Sequence, residues 1–192
     1  PTTLRVPTFG QNLAFMFRYQ LGFMYFRYFM WNFSGRQNDV QSTGGPVNGN
    51  WITGIEFLDA PRTGSLKGMP DDMRNDPSRN TYFLLPLLLG LVGFLWHFNR
   101  DVRNWWIVVL LFVMTGIAIV IYLNQYPNQP RERDYAYAAS FYAFAVWIGL
   151  GVLALFALLR NAAGETPADV VASVLPFTAV PVLMGSQNWD DH

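Results

Sequence analysis

Long apolar runs separated by short polar breaks organise the second half of the chain. The pattern predicts four membrane-spanning helices, over residues 81–98, 105–123, 136–159 and 168–185. About 20 residues at a rise of about 1.5 Å cross a hydrocarbon layer of about 30 Å, and the first three runs are close to that length. The fourth run is interrupted by Asp169, Pro176 and Pro181, so we expect a span kinked by its prolines. The predicted fold class is all-α, as a polytopic membrane protein.

A different pattern covers residues 1–33, where aromatic residues are interrupted by charged and amide side chains. Arg18, Gln20 and Arg27 fall inside the aromatic segment 13–33. At about 100° per residue the two arginines lie about 180° apart on a helix, so they do not share one polar face. We expect an interfacial aromatic helix whose arginines reach the lipid phosphates. A tilted span is the alternative interpretation.

Residues 34–80 form a polar stretch rich in glycine, proline, asparagine and aspartate. This turn-forming composition predicts a long extracytoplasmic loop with little regular structure. Within it, residues 51–57 carry several large apolar side chains, and we expect a short helix or strand there that packs on the membrane face. The transmembrane region of four helices then covers 81–185, and a polar tail begins over 186–192.

Composition supports a membrane protein and argues against several other classes. The chain is 52% hydrophobic and only 14% charged, against about 25% charged residues in soluble domains. A net charge of zero without a basic block argues against nucleic acid as a partner. The absence of cysteine removes zinc–thiolate sites, and two histidines cannot form a histidine metal cluster. A divalent metal is compatible with the loop carboxylates, but no motif supports one.

The charged turns indicate which side of the membrane each loop faces. Arg100, Arg103 and Arg160 lie in the short turns between predicted spans, whereas Arg131 and Arg133 lie on the opposite side. Cytoplasmic loops carry an excess of basic residues. The count therefore favours the cytoplasm for the short turns. The long polar loop and the interfacial aromatic helix that precedes it then lie on the other side.

The most informative polar break is NQYPNQPRERDYAY at 124–137, between two predicted spans. Arg131 and Arg133 can bind a phosphate through bidentate guanidinium hydrogen bonds, and a polyprenyl-phosphate sugar presents its phosphate at the membrane surface. The candidate site is completed by Glu132, Asp134 and Tyr135. Ion pairs within a solvated turn are the equally supported alternative, and such exposed pairs add little stability.

A second candidate segment follows the aromatic helix. Residues 29–39 read FMWNFSGRQND, so aromatic side chains run directly into a glycine, an arginine, amides and a carboxylate. Planar amide and carboxylate groups can hydrogen bond to sugar hydroxyls. The candidate residues are Arg36, Gln37, Asn38 and Asp39. The alternative is the C-terminus of a helix with its cap.

Three long stretches carry a specific resemblance, namely RYFMWNFSGRQNDVQ (27–41), GNWITGI (49–55) and NQYPNQPRERDYAYAASFYAFAVWIGLGV (124–152). They resemble a bacterial membrane family, long called a domain of unknown function. That family is related to a vertebrate endoplasmic-reticulum protein O-mannosyltransferase with a lumenal tetratricopeptide tail. The similarity runs, with gaps, from about Arg27 to Gly151.

The resemblance implies a multi-pass glycosyltransferase of the C-type superfamily in the bacterial inner membrane. Such enzymes pass mannose or another sugar from a polyprenyl-phosphate donor to a protein hydroxyl. The loop at 124–135, the long loop and the tail would then face the periplasm. In this family the first outer loop usually carries the catalytic carboxylate. The chain begins at Pro1 without that loop, so we interpret it as an internal fragment, inactive alone, whose catalytic residues are unknown.

The competing function class is a non-catalytic membrane protein, either a scaffold for envelope assembly or a transporter component. No charged residue lies in the middle of the first three predicted spans, which argues against an ion or substrate pathway. A scaffold differs from the enzyme in one prediction. Replacing Arg131 and Arg133 would leave sugar transfer unchanged.

Overall fold

The computed structural model describes residues 6–42, 44–127, 133–163 and 179–189. Within these ranges the chain is mostly helical, with a single pair of two-residue strands. The helices are α1 (Phe9–Phe15), α2 (Arg27–Phe33), α3 (Glu56–Thr63), α4 (Asp71–Arg74), α5 (Leu85–Arg100), α6 (Val102–Thr115), α7 (Ile117–Leu123), α8 (Ala139–Ala163) and α9 (179–187). The other elements are strands β1 (Gly35–Arg36) and β2 (Asn80–Thr81), a π-helical segment (Met16–Phe26) and 3-10 turns (Leu66–Gly68 and Asp134–Tyr137).

Two helical stretches are long and apolar enough to cross a membrane, Val102–Leu123 and Ala139–Leu158. They coincide with the second and third predicted spans. In their most apolar windows only 11% and 33% of the residues are buried, so most of their apolar side chains face outward, as side chains in contact with lipid do. The first stretch is interrupted at Gly116, where α6 ends and α7 begins.

The first predicted span begins later than its hydropathy indicates. Phe83 and Leu84 have φ angles of 52° and 61°, in the left-handed region, so the chain turns there and α5 begins only at Leu85. Pro86 lies in the first turn of α5, where its missing N–H is least costly. With 16 residues α5 is just shorter than the roughly 17–25 residues of a typical span. The fourth predicted span, 168–185, lies largely outside the described residues.

Glycines allow α5 and α8 to pack with their backbones in contact. A Cβ atom on Gly93 would overlap the carbonyl oxygen of Trp147, and one on Gly151 would overlap the carbonyl oxygen of Leu89. Gly90 likewise leaves room for the ring of Phe144. Small residues at a helix contact permit this close approach, which maximises van der Waals packing between the two helices.

Aromatic side chains fill the core between α8 and the first helical segment (9–33), which comprises α1, the π-helical segment and α2. Phe33 packs against Phe144 with ring centroids 4.6 Å apart. The Tyr25 hydroxyl donates a hydrogen bond of 3.0 Å to Ser140 Oγ. A Cβ atom on Gly116 would lie 2.5 Å from that Tyr25 oxygen, so the glycine at the α6–α7 break makes room for the tyrosine.

The arginines of the first helical segment do not both reach outward. Arg18 is exposed, but Arg27 is buried, and its Nη1 donates a hydrogen bond of 2.9 Å to the carbonyl oxygen of Gly49. The Arg27 guanidinium also lies over the Trp31 ring, 4.8 Å from its centroid. The expectation that both arginines reach lipid phosphates is wrong for Arg27, because a turn of the long loop supplies the polar partner that a buried charge requires.

The long polar loop is more regularly folded than its composition indicates. Strand β1 pairs antiparallel with β2, with Gly35 opposite Thr81, and Arg36 forms a further bridge to Trp51. The short element expected at 51–57 is therefore this bridge, followed by α3. The two ends of the loop are therefore joined side by side, a few residues before α5 begins.

The start of α3 is fixed by a buried carboxylate. Asp59 accepts hydrogen bonds from the backbone N–H groups of Thr53 and Gly54, at 2.9 and 2.8 Å. It also forms an ion pair with Arg62, with nitrogen and oxygen 3.3 Å apart. These bonds hold the segment between β1 and α3 against the helix.

Candidate functional site

A small polar pocket lies where the long loop meets the ends of the helices. Its volume is about 160 Å³, and α2 contributes Tyr28, Trp31 and Asn32 to its wall. The remaining lining residues belong to the strands and to α9 or directly follow them, and are Arg36, Asn80, Tyr82, Met184 and Asn188. Aromatic rings, amides and one guanidinium thus surround a space of modest size.

The turn after α2 explains why the two strands meet at this pocket. Gly35 has a φ angle of 143° and lies so close to β2 that a Cβ atom would be 2.6 Å from the carbonyl oxygen of Asn80. Only glycine tolerates this conformation at such a close approach. The backbone N–H of Arg36 then donates to Asn80 Oδ1 at 3.1 Å, and Arg36 Nε donates to the carbonyl oxygen of Ser78 at 2.9 Å. These bonds fix Arg36 at the edge of the pocket.

Asn188 closes the pocket from the side of α9. Its Nδ2 donates a hydrogen bond of 2.8 Å to the Tyr82 hydroxyl, and its Oδ1 accepts one of 2.9 Å from Asn80 Nδ2. Both partners lie more than a hundred positions earlier in the chain. A single amide therefore links α9 to the strand that precedes α5.

Trp31 offers a hydrogen-bond donor that has no partner among the described residues. Its side chain is 9% exposed, and its indole Nε1 is buried and unpaired there. The Arg27 guanidinium stacked on the ring fixes the orientation of the indole. Leaving a buried donor unpaired costs about 1–3 kcal/mol.

Tyr28 is the titratable group that the surroundings change most. The pKa of Tyr28 is raised to about 12, mainly by burial and then by the hydrogen bond and the charge of the neighbouring Asp134 carboxylate. The charge of Arg36 and a hydrogen bond with Asn32 act in the opposite direction. The phenol is therefore neutral at physiological pH, and its hydroxyl group donates to the Asp134 carboxylate.

The structure brings together one residue from each of the two predicted candidate segments. Arg36 and Asp134 both act on Tyr28, although they are almost a hundred positions apart in the sequence. Asp134 is partly buried at the start of its 3-10 turn. Its neighbours in the chain face outward, since Arg133 is exposed and the Tyr135 side chain is 65% exposed.

Other predicted residues support the loop and do not line the pocket. Gln37 Oε1 accepts a hydrogen bond of 2.9 Å from Asn50 Nδ2, and Asn38 Oδ1 accepts one of 2.8 Å from the backbone N–H of Gly49. Both amides are buried, so they hold the inner turn of the loop. Asp39 is exposed, and its carboxylate accepts a hydrogen bond from Ser78 Oγ at 3.3 Å.

The proposed phosphate-binding pair is described only in part. Arg131 and Glu132 lie outside the described residues. Arg133 is described and exposed, in the turn that leads to Asp134. Phosphate binding by the two arginines therefore stays a prediction. In the part of the chain that the structure describes, no group of three or more histidine, aspartate or glutamate side chains is arranged to hold a metal ion.

The function of this chain is inferred from its fold and its pocket. No protein-family model matches the chain, and no curated protein or solved structure is similar enough to relate it to a known protein. The fold and the site define a mostly helical protein with two apolar helices of membrane-spanning length. A pocket lined by aromatic and amide side chains lies beside the paired strands at the ends of its polar loop.

Proposed function

We propose that this chain is part of a membrane glycosyltransferase that moves a mannose-like sugar from a polyprenyl-phosphate donor to a protein hydroxyl. The pocket between Tyr28, Trp31 and Tyr82 is the observation that carries the proposal. Aromatic rings can stack on the C–H face of a sugar, while amides and guanidinium groups hydrogen bond to its hydroxyls. The pocket offers both kinds of contact within a space suited to a small polar group.

Different residues bind the sugar and the phosphate of the donor. The rings of Tyr28 and Trp31 stack on the sugar, and Arg36 adds positive charge at the edge. Arg131 and Arg133 bind the phosphate at the membrane surface. The residue that activates the acceptor hydroxyl is not assigned.

The same proposal includes a membrane topology. The protein lies in the bacterial inner membrane with about four spans, and its long loop and C-terminal tail face the periplasm. The two apolar helices of membrane-spanning length support this arrangement, as does the excess of arginine in the short turns. The lipid bilayer, a polyprenyl-phosphate sugar and a protein acceptor are then its partners.

A transfer assay tests the proposal directly. Membranes containing the full-length protein are given a radiolabelled polyprenyl-phosphate sugar and a peptide with a free hydroxyl, and label on the peptide is counted. We expect transfer by the wild type and a loss of about 10²-fold or more in Arg36→Gln and in the double variant Arg131→Ala/Arg133→Ala, because positioning groups are worth this much when the reacting atoms are displaced.

The matched control is Arg74→Gln, since Arg74 is an exposed arginine on α4 and lies outside the pocket. Its transfer rate should equal that of the wild type. Unchanged transfer in the double variant would remove Arg131 and Arg133 from donor binding. Absence of transfer by the wild type above membranes lacking the protein would favour a scaffold or a transporter component.

A further inference from the structure

Helix α3 in the long loop is amphipathic, and its charged side faces the protein. Asp59 is buried and accepts hydrogen bonds from the backbone N–H groups of Thr53 and Gly54. The Arg62 guanidinium lies over the Trp51 ring, 3.4 Å from its centroid, and donates a hydrogen bond of 3.0 Å to the Trp51 carbonyl oxygen. An amphipathic helix on the surface of a soluble domain normally turns its charged side to water. Helix α3 has the opposite orientation.

The outward side of α3 is apolar. At about 100° per residue, Phe57 and Pro61 lie about 160° from the buried Asp59 on the helix. The Phe57 side chain is 82% exposed, and Pro61 is exposed as well. Ile55, at the N-cap of the helix, and Leu58, in its first turn, are also exposed. We call these four residues the apolar face of α3. Large apolar side chains in water are unfavourable, so this face indicates contact with an apolar medium or partner.

The structure separates the apolar residues of 51–57 that were expected to pack on the membrane face. Ile52 is fully buried, and Trp51 lies under the Arg62 guanidinium. Ile55 and Phe57 are exposed. The membrane contact expected of this segment therefore falls to its last residues and to the start of α3.

The apolar face of α3 continues towards the outward side of α5. Phe83 is 46% exposed, and its ring lies against Gly54, since a Cβ atom on that glycine would be 3.1 Å from the ring. The backbone N–H of Phe83 also donates a hydrogen bond of 3.0 Å to the carbonyl oxygen of Thr53. Helix α5 begins two residues after Phe83, and leucines spaced three or four residues apart are exposed along it. They are Leu85, Leu88, Leu91 and Leu95. This spacing places them on one side of the helix, so Phe83 connects that side to the start of α3.

We propose that the apolar face of α3 lies in the interfacial region of the lipid bilayer, beside the N-terminal end of α5. An interfacial helix buries its apolar side about 5–10 Å into the boundary between headgroups and acyl chains. The continuity through Phe83 with the outward leucines of α5 favours lipid over a protein partner, because those leucines face the same medium as the apolar helices of membrane-spanning length.

The polar surroundings of α3 suit the headgroup region. Glu56 accepts a hydrogen bond of 2.7 Å from Ser65 Oγ, so the turn Leu66–Gly68 that follows Ser65 lies beside the first turn of α3. Lys67 in that turn is exposed, and its long side chain can reach a lipid phosphate. The inference rests on the membrane topology proposed above and extends it. It places β2, and with it the polar pocket, at the surface where a lipid-linked phosphate lies.

Site-specific fluorescence tests this position of α3, because the chain contains no cysteine and each introduced cysteine is therefore unique. The variants Phe57→Cys, Asp72→Cys and Leu110→Cys are labelled with an environment-sensitive nitrobenzoxadiazole dye. They are reconstituted in vesicles of phosphatidylethanolamine and phosphatidylglycerol, and a fraction of the lipid carries a spin-label quencher near the glycerol end or near the methyl end of one acyl chain. Asp72 is the control for the loop, as an exposed residue of α4, and Leu110 is the control for the spans, as an exposed residue of α6.

We expect the label near the glycerol end to quench the dye at Phe57 at least about twofold more strongly than the dye at Asp72, since the face lies about 5–10 Å into the boundary. The dye at Leu110 should be quenched more by the label near the methyl end. Leu58→Cys, on the same face of α3, should behave as Phe57→Cys does and replaces it if that variant does not fold.

Three results would overturn the inference. Quenching at Leu110 with no more quenching at Phe57 than at Asp72 would remove α3 from the bilayer and leave the proposed spans intact. A dye at Phe57 that is shielded from water but not quenched by lipid would assign the apolar face to a protein contact. Absence of quenching at Leu110 would overturn the proposed spans and the position of α3 together.

Discussion

Arg27 Nη1 donates a hydrogen bond of 2.9 Å to the carbonyl oxygen of Gly49, and this bond ties the first helical segment to the inner turn of the long loop. The Gly49 N–H in turn donates to Asn38 Oδ1 at 2.8 Å. A buried arginine thus organises a loop that leads directly to Arg36. The bond also keeps the guanidinium over Trp31, so it bears on the polar pocket as well as on the loop.

Replacing Arg27 with alanine should therefore destabilise the protein. A hydrogen bond to a charged group contributes about 1.5–3 kcal/mol, and its removal leaves the Gly49 carbonyl oxygen without this donor. The measurement is the free energy of unfolding in detergent. Arg18→Ala is the matched control, because Arg18 lies on the same helical segment but is exposed, and its change should stay within about 0.5 kcal/mol. Equal effects of the two substitutions would contradict the role assigned to Arg27.

Hydropathy alone predicts the two long apolar helices, because each consists of consecutive apolar side chains that need no partner elsewhere in the chain. It does not predict the start of α5. Phe83 and Leu84 adopt positive φ angles there, a conformation that neither residue type favours. The turn is imposed by contacts made across the loop, such as the backbone hydrogen bond of 3.0 Å from Phe83 to Thr53.

The candidate site could be predicted only in part for a similar reason. Arg36 and Asp134 stand out in the sequence because they are charged residues beside apolar runs. Trp31 and Tyr82 resemble ordinary core residues until their polar atoms are located. Asn188 acts through partners more than a hundred positions away, and no local pattern reports such a contact.

Tyr28 should make stability depend on pH only in the alkaline range. Its pKa is about 12 in the folded protein and about 10 in an unfolded chain. Its contribution is therefore fully present below about pH 10 and is lost as pH rises from about 10 to about 12, because the unfolded chain releases the proton first. Unfolding free energies of the wild type and Tyr28→Phe, compared from pH 8 upward, should converge across this window.

One further variant tests how far Asp134 raises the pKa of Tyr28. Asp134→Asn removes the carboxylate that raises the Tyr28 pKa, so the phenol should titrate at lower pH when phenolate absorbance is followed as a difference against Tyr28→Phe. Tyr126→Phe is the control for loss of an exposed tyrosine, since the Tyr126 side chain is 64% exposed. An unchanged Tyr28 titration in Asp134→Asn would show that this carboxylate does not act on the phenol.

Trp31→Phe should separate the stability of the pocket from its binding function. The substitution removes the unpaired indole N–H and keeps an aromatic ring under Arg27, so the free energy of unfolding should change little, by about 1 kcal/mol or less. Binding of a polyprenyl-phosphate sugar, measured with a radiolabelled donor, should weaken by up to about tenfold, because the smaller ring covers less of the sugar. Trp106→Phe is the control, because Trp106 is 52% exposed and lies outside the pocket. Strong destabilisation without loss of binding would assign Trp31 to the core alone.

Gly93→Ala should disrupt the contact between α5 and α8. A Cβ atom at this position would overlap the carbonyl oxygen of Trp147, which belongs to rigid helix backbone and cannot move aside as a flexible side chain can. Overpacking of this kind costs about 1–3 kcal/mol or more. Gly149→Ala is the matched control on α8, because nothing lies within 4 Å of a Cβ atom there.

The same substitution thus has opposite expected outcomes at the two glycines. Alanine at Gly149 should leave the unfolding free energy unchanged or raise it by up to about 1 kcal/mol, through the higher helix propensity of alanine. Alanine at Gly93 should lower it, and the loss should be accompanied by greater protease sensitivity of the loop, since only residues 82–84 separate β2 from α5. If both variants were equally stable, the backbones of α5 and α8 could not be in contact at Gly93.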